Sequence, residues 1–188
     1  MTAKRDECIL LIVDVQEKLI GTVVDKQSLL ENLITLGKVS QKFQIPILVS
    51  EQEKLGRTVP ELREAVMNQF TFMKLAFSCC QNEQFMRRLD ELGRKTIIIC
   101  GIEAHICVEQ TVLDLIERGY NVHLIIDAVS SYSAIDRETS VERMRDAGAV
   151  ITTTEAVIYE IMEKAGTTEF TEILQIVKER RRNISNVR

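Results

Sequence analysis

The amino-acid sequence predicts an α/β domain of three layers, with helices packed on both faces of a parallel sheet. Three observations carry this. Short apolar, β-rich runs alternate along the chain with longer segments of helical period. Several runs are apolar nearly throughout, the pattern of strands covered on both faces. Three helical segments end on Gly shortly before the next run, the usual residue just past a helix C-terminus. Such alternation implies right-handed crossovers onto one sheet.

The first strand is Ile9–Val13, entered from a charged start, Lys4-Arg-Asp-Glu7. Ser28 to Phe43 then carries Leu29, Leu30, Leu33, Ile34, Leu36 and Phe43, a helical stripe. Strands follow at Ile47–Ser50 and Thr71–Lys74, and a helix at Gln84–Leu92 closes on Gly93. The fourth strand, Thr96–Gly101, leads into a helix at Ile106–Arg118 that stops at Gly119. Val122–Ile126 is the fifth strand, Thr139–Ala147 with Gly148 the next helix, and Ala149–Thr152 the sixth strand. Glu155–Lys164 and Thr168–Arg182 complete the chain as two further helices. No repeat, low-complexity segment or linker interrupts it, so residues 1–188 read as a single domain.

Composition narrows the function classes. The 188 residues are 45% apolar and 28% charged, ample for a buried core. With 24 Lys and Arg against 28 Asp and Glu, the net charge of −4 is a poor match to nucleic acid. Lys178-Glu-Arg-Arg-Arg182 is read as a solvated helix end whose cations complement the helix dipole. No apolar run reaches the length of a membrane span or of a signal-peptide core, so a cytoplasmic protein without a membrane partner is expected. Five Cys without framework spacing are expected to be free thiols. Cys8 and Cys100 lie in apolar strands and read as core. Cys79-Cys80 follow the third strand, either lining a pocket mouth with a redox or metal role or as incidental loop thiols.

In an open α/β sheet, ligands bind outside the carboxyl ends of the strands. Asp14 leaves the first strand, Lys74 ends the third, and Cys107 follows the fourth, near the start of a helix. A carboxylate or an ammonium beside an apolar strand is costly unless paired or functional. A helix N-terminus and a nearby cation depress a thiol pKa, so these three residues suit a nucleophile with its activating partners. The bland alternative is a structural ion pair beside an inert buried thiol. Other cysteine chemistries fail on residues: Leu113 stands where a C-x₅-R phosphatase needs Arg, and Glu109 where a nucleophile elbow needs Gly. No glycine-rich phosphate loop is present to anchor a nucleotide cofactor.

The sequence resembles the isochorismatase-like cysteine hydrolases, the superfamily of nicotinamidase and N-carbamoylsarcosine amidohydrolase, and within it the small uncharacterised hydrolases. The resemblance runs from Ile9 to the helix before Ala165. It is carried by Ile12-Val-Asp14-Val-Gln16, Ser50-Glu-Gln52 with Leu55-Gly56 and Thr58-Val-Pro60, and the Lys74 segment. Gly101-Ile-Glu-Ala-His-Ile-Cys107-Val, Asp114-Leu-Ile-Glu-Arg-Gly119-Tyr and Asp127-Ala-Val-Ser-Ser131 extend it. It implies a Rossmann-like, six-stranded parallel sheet in the order 3-2-1-4-5-6, with Asp14 and Cys107 flanking the switch point. It also implies Cys107 as nucleophile, Asp14 as its base and Lys74 as the cation that stabilises the thiolate. A cis peptide at Ile102–Glu103 would aim the backbone N–H groups of Glu103 and Cys107 at the oxyanion, each donor worth about 3 kcal/mol of barrier.

The implied reaction is thiolate attack on a small carboxamide, ureido or related C–N carbonyl, then hydrolysis of a thioester. Vinyl-ether hydrolysis is the poorer fit, because in the isochorismate hydrolases the nucleophile position is not a cysteine. Gln16, Gln52 and Phe77 are the expected substrate contacts, although Glu51 and Gln52 serve equally well as caps of their loop. Nicotinamidases place an Asp and two His as a metal site near the second strand. Here Ser50-Glu51-Gln52 stands there and the two His lie at 105 and 123, so no metal and no cofactor are expected. His105 reads as structural and His123 as a packed or edge residue of its strand. The expected partners are the small-molecule substrate and further copies of the chain in a homo-oligomer. The competing function is a catalytically idle or redox-responsive small-molecule-binding protein with the same fold.

Overall fold

The computed structural model describes residues 2–186. Its sheet has six parallel strands in the order β3-β2-β1-β4-β5-β6. They are β1 Cys8–Val13, β2 Ile47–Gln52, β3 Phe70–Lys74, β4 Thr96–Ile102, β5 Asn121–Ser130 and β6 Val150–Thr152. The helices are α1 Lys26–Lys42, α2 Pro60–Ala65, α3 Glu83–Leu92, α4 Glu109–Glu117, α5 Ala134–Asp146, α6 Thr154–Met162 and α7 Thr168–Ser185. The three-layer fold and the strand order match the expectation.

Strand β1 shows why its sequence is uniformly apolar. Cys8, Leu10 and Ile12 face a core shared with α1, α6 and α7, whereas Ile9, Leu11 and Val13 face one shared with α3, α4 and α5. Side chains alternate along a strand, so a central parallel strand covered on both faces has no polar side.

The boundaries differ where polar residues are satisfied locally. β5 continues past Ile126 to Ser130, because Asp127 is held by the Thr154 N–H and hydroxyl at 2.7 and 2.9 Å. The β4–β5 register shifts between Ile99 and Gly101, and pairing resumes at Gly101–Val129. α5 starts at Ala134 rather than Thr139, where the Ser133 hydroxyl accepts the Asp136 N–H and caps the helix. The short α2 is absent from the sequence expectation, since one and a half turns give too little periodicity to read; Pro60 opens it. The expected helix at Ile106 is preceded by a π-helical turn, Ala104–Val108, that runs into α4.

Close packing at the carboxyl end of β1 demands one glycine. Gly101 has φ +119°, and a Cβ there would fall 2.1 Å from the Val13 carbonyl oxygen. Only a residue without a side chain lets β4 approach β1 where Asp14 emerges.

Candidate active site

The candidate site is a row along the carboxyl edge of the sheet, one group per strand. Lys74 ends β3, Gln52 ends β2 beside it in register, Asp14 follows β1, and Cys107 lies in the π-helical turn after β4. Their order in space is therefore the strand order.

Asp14 is buried in left-handed backbone, φ +49°. Its N–H lies 3.2 Å from the Ser50 carbonyl and 3.3 Å from the Ser50 hydroxyl oxygen, and that hydroxyl donates back to Oδ1 at 2.7 Å. Lys74 Nζ donates to Asp14 Oδ2 at 2.7 Å, to Gln52 Oε1 at 2.7 Å and to the Ala76 carbonyl at 3.3 Å, which uses its three protons. Both side chains of the ion pair are essentially without solvent contact. Burial alone would pull the Lys74 ammonium down. The Asp14 carboxylate, with the Cys79 and Cys107 sulfurs as they ionise, instead holds it above the ordinary lysine value.

Cys107 is nearly covered, 7% exposed. Burial, then the Asp14 carboxylate, pushes its thiol up to about 12, while Lys74 acts in the opposite direction. The expectation of a depressed thiol pKa is therefore corrected. The lysine that would lower it is already neutralised by the aspartate, and water is excluded. The resting pair is a thiol beside a carboxylate.

The peptide between Ile102 and Glu103 is cis. In the π-helical turn, the Ile106 and Val108 N–H groups both donate to the Glu103 carbonyl, at 3.1 and 3.2 Å, with Cys107 between them. Glu103 is tied by its carboxylate to the Tyr132 N–H at 2.9 Å. His105 Nδ1 lies 3.0 Å from the Ser131 hydroxyl at the end of β5.

The expected substrate contacts fall differently. Gln16 is buried and spends its amide on the neighbouring loop: Nε2 donates to the Gln52 and Gly56 carbonyls at 2.9 and 2.7 Å, and Oε1 accepts the Gln52 N–H at 2.8 Å. Gln52 accepts from Lys74 and donates through Nε2 to the Leu75 carbonyl at 2.7 Å, so both ends of its amide are engaged. Both amides are thus engaged within the site. Phe77 alone of the three is open, 53% exposed. Glu51 accepts from the Thr58 N–H and hydroxyl, closing the same loop.

Cys79 and Cys80 are buried, not at a pocket mouth; the turn that carries them folds onto α4. Burial raises all five thiols. Sequence reasoning missed Ser50. Its signal was a small polar residue at the end of the strand adjacent to β1, in register with Val13. It also missed Thr111, which donates to the Cys107 carbonyl at 2.6 Å.

This arrangement of an acid, a lysine and a cysteine along one sheet edge coincides with a family match: residues 8–156 fit the isochorismatase domain model. The chain belongs to the isochorismatase family. A secreted isochorismatase effector of Phytophthora sojae is 34% identical over 177 residues, covering 91% of this chain and 84% of that protein. Among solved structures, the MAR1 ribonuclease of Caenorhabditis elegans has TM-score 0.89 at 34% identity, covering 94% of this chain and 92% of its own. The YcaC gene product of Escherichia coli, described as an octameric hydrolase of unknown specificity, has TM-score 0.89 at 22% identity. It covers 100% of this chain and 96% of its own. The secreted relative leaves membership of the isochorismatase family without a fixed compartment. No helix among the described residues is long and apolar enough to cross a membrane.

Proposed function

We propose that this isochorismatase-family chain is a cysteine hydrolase that cleaves the C–N bond of a small carboxamide, ureido or related compound through a thioester. The observation that carries the proposal is the Cys107 thiol set against a buried Asp14–Lys74 ion pair at the sheet's switch point. Asp14 takes the thiol proton as sulfur attacks the carbonyl, and Lys74 stabilises the negative charge on sulfur before the C–S bond is complete. The tetrahedral oxyanion is received by the backbone N–H groups of Glu103 and Cys107. The Ile106 and Val108 N–H groups that flank Cys107 donate to the Glu103 carbonyl and so are not available to the oxyanion. Asp14 returns the proton to the departing nitrogen. It then deprotonates the water that opens the thioester, and the thiol is regenerated.

The polar side chains at the end of β2 are engaged within the protein. At the end of β2 the Glu51 carboxylate is engaged by Thr58 and the Gln52 amide by Lys74. Among the described residues no cluster of three or more His, Cys, Asp or Glu is arranged to hold an ion. A nucleic-acid substrate, as the name of the worm neighbour implies for that protein, fits poorly with a net charge of −4. Free thiols and no disulfide among the described cysteines fit a cytoplasmic protein. Leu75 and Phe77 after β3, and Tyr132 and Ile135 after β5, are large, apolar and more than half exposed, positions that further copies of the chain would cover in a homo-oligomer.

The test is a panel of small amides and ureides assayed for ammonia or amine release with wild type and Cys107→Ser. Turnover that vanishes in the serine variant is expected. Turnover that survives it rules out the cysteine mechanism, and binding of panel members without turnover makes the chain an idle binding protein.

A further inference from the structure

The nucleophile and the lysine belong to strands that do not touch. β3 and β4 are separated by β2 and β1, which at the usual strand spacing puts them about 14 Å apart. Sheet register therefore sets Lys74 against Gln52, and Asp14 against Ser50, but sets Cys107 against Lys74 only indirectly. A second connection exists above the sheet. The segment that follows Lys74 crosses to α4 and docks there through three polar contacts. The Ser78 hydroxyl donates to Asp114 Oδ2 at 2.6 Å, the Cys79 N–H donates to the Thr111 hydroxyl at 3.0 Å, and Cys80 Sγ lies 4.0 Å from the Thr111 carbonyl. Thr111 is fully buried, and the same hydroxyl donates its proton to the Cys107 carbonyl at 2.6 Å. One oxygen thus links the backbone of the lysine-bearing segment to the backbone of the nucleophile. Its position is the more telling because Cys107 sits in a π-helical turn, where the regular i to i−4 ladder has not yet begun.

We propose that Thr111 is a positioning residue whose hydroxyl, clamped between the Cys79 N–H and the Cys107 carbonyl, sets the spacing of the Cys107 thiol from Lys74. It rests on Cys107 being the reactive group, as in the hydrolase proposed above. Without the hydroxyl, the buried Cys79 N–H loses its acceptor and the crossing segment its nearest anchor to the nucleophile. Lys74 then acts on the sulfur from a longer and less defined distance, and the thiolate fraction falls.

The experiment compares wild type, Thr111→Val and Thr111→Ser. Valine keeps the shape and removes the hydroxyl; serine keeps the hydroxyl. The first readout needs no substrate: the rate of Cys107 alkylation by iodoacetamide at pH 9, followed by peptide mass spectrometry. Thr111→Val is expected to slow it at least fivefold and Thr111→Ser to stay within twofold of wild type. On an amide from the panel, kcat is expected to fall about tenfold in Thr111→Val with KM within twofold. Wild-type alkylation and kcat in Thr111→Val overturn the proposal, as does a loss that only follows the fraction of folded protein in a thermal melt. If the valine variant fails to fold, Ser78→Ala, which frees the same segment from Asp114, carries the same expectation. A panel without any turnover defeats the hydrolase proposal but leaves the alkylation result standing, so the two failures are distinguishable.

Discussion

Replacing Asp14 with Asn separates two quantities that usually move together in a cysteine enzyme, hydrolytic rate and thiol reactivity. Asn keeps the shape and an acceptor for the Ser50 hydroxyl but removes the carboxylate that takes the thiol proton, so amide hydrolysis should fall by at least a hundredfold. The thiol should respond in the opposite sense. Asp14 is the largest contribution after burial to holding Cys107 up at about 12. A unit charge at about 4 Å acts with about 4 kcal/mol at an effective dielectric near 20. That is an upper bound of about three pH units; burial is the larger cause, so the thiol should fall yet stay above the ordinary cysteine value. At pH 8 the thiolate fraction should then rise by at least about tenfold, each unit of pKa being a factor of ten. Lys74 limits the gain, because without its counter-ion burial draws the ammonium toward neutrality. The assay is the pH dependence of Cys107 alkylation between pH 7 and 10, with Lys74→Met as the opposite control. Removing the ammonium should slow alkylation at every pH. An Asp14→Asn protein that folds yet alkylates Cys107 more slowly than wild type refutes the electrostatic account. Because either change breaks a buried ion pair, each variant should also lose about 3–5 kcal/mol of stability, and urea melts must show that it remains folded at the assay temperature.

Two further outcomes are expected. Gln52→Leu leaves one Lys74 proton without its side-chain acceptor, so kcat should fall with KM little changed and stability should drop by about 1–3 kcal/mol; a raised KM with kcat intact would make Gln52 a substrate contact instead. His123 is buried, with no hydrogen-bond partner for either ring nitrogen among the described residues, and burial holds its pKa below the ordinary value, with Glu160 4.0 Å away as a partial counterweight. The unfolded chain binds the proton first as pH falls, so native stability should decline by about 1.4 kcal/mol per pH unit from about pH 6.5 down to the lower native value. In His123→Leu that slope should vanish between urea melts at pH 7.5 and pH 5, and an unchanged slope would place the acid sensitivity elsewhere.

The parts legible in the sequence are those that repeat a local rule. β1 and β4 announce themselves by apolar runs because both of their faces are covered. Asp14, Lys74 and Cys107 stand out because a polar or reactive side chain at the end of such a run needs a reason to be there. The structure does bring these three together. What stayed hidden depends on contacts between segments far apart in the chain. Gln16 and Gln52 look like ligand-facing amides, but each is consumed by backbone and side chains about 22 to 40 positions away. Cys79 and Cys80 look like loop thiols until the turn that carries them is seen folded onto Thr111, about 31 positions on. The sequence pattern ends β5 at Ile126, before Asp127, whose carboxylate is satisfied by Thr154 and by Arg180 from α7, partners that no local window contains.

The order of strands explains why so polar a row can be buried in an apolar sheet edge. An ammonium alone at the end of β3 would pay the full cost of desolvation, and so would a carboxylate alone after β1. Strand β2 lies between them and ends in Ser50 and Gln52, the one giving a proton to Asp14 and the other accepting one from Lys74. Each charge is therefore met on the β2 side by a neutral dipole and across it by its opposite. At β4's end burial comes first and the Asp14 charge second in keeping the thiol protonated, while Lys74, engaged by Asp14, only partly opposes them. A nucleophile of that kind is quiet toward oxidants and alkylating agents at neutral pH. In the proposed mechanism it becomes reactive when a carbonyl arrives to receive the electron pair as Asp14 takes the proton. The Asp14→Asn comparison measures that restraint directly.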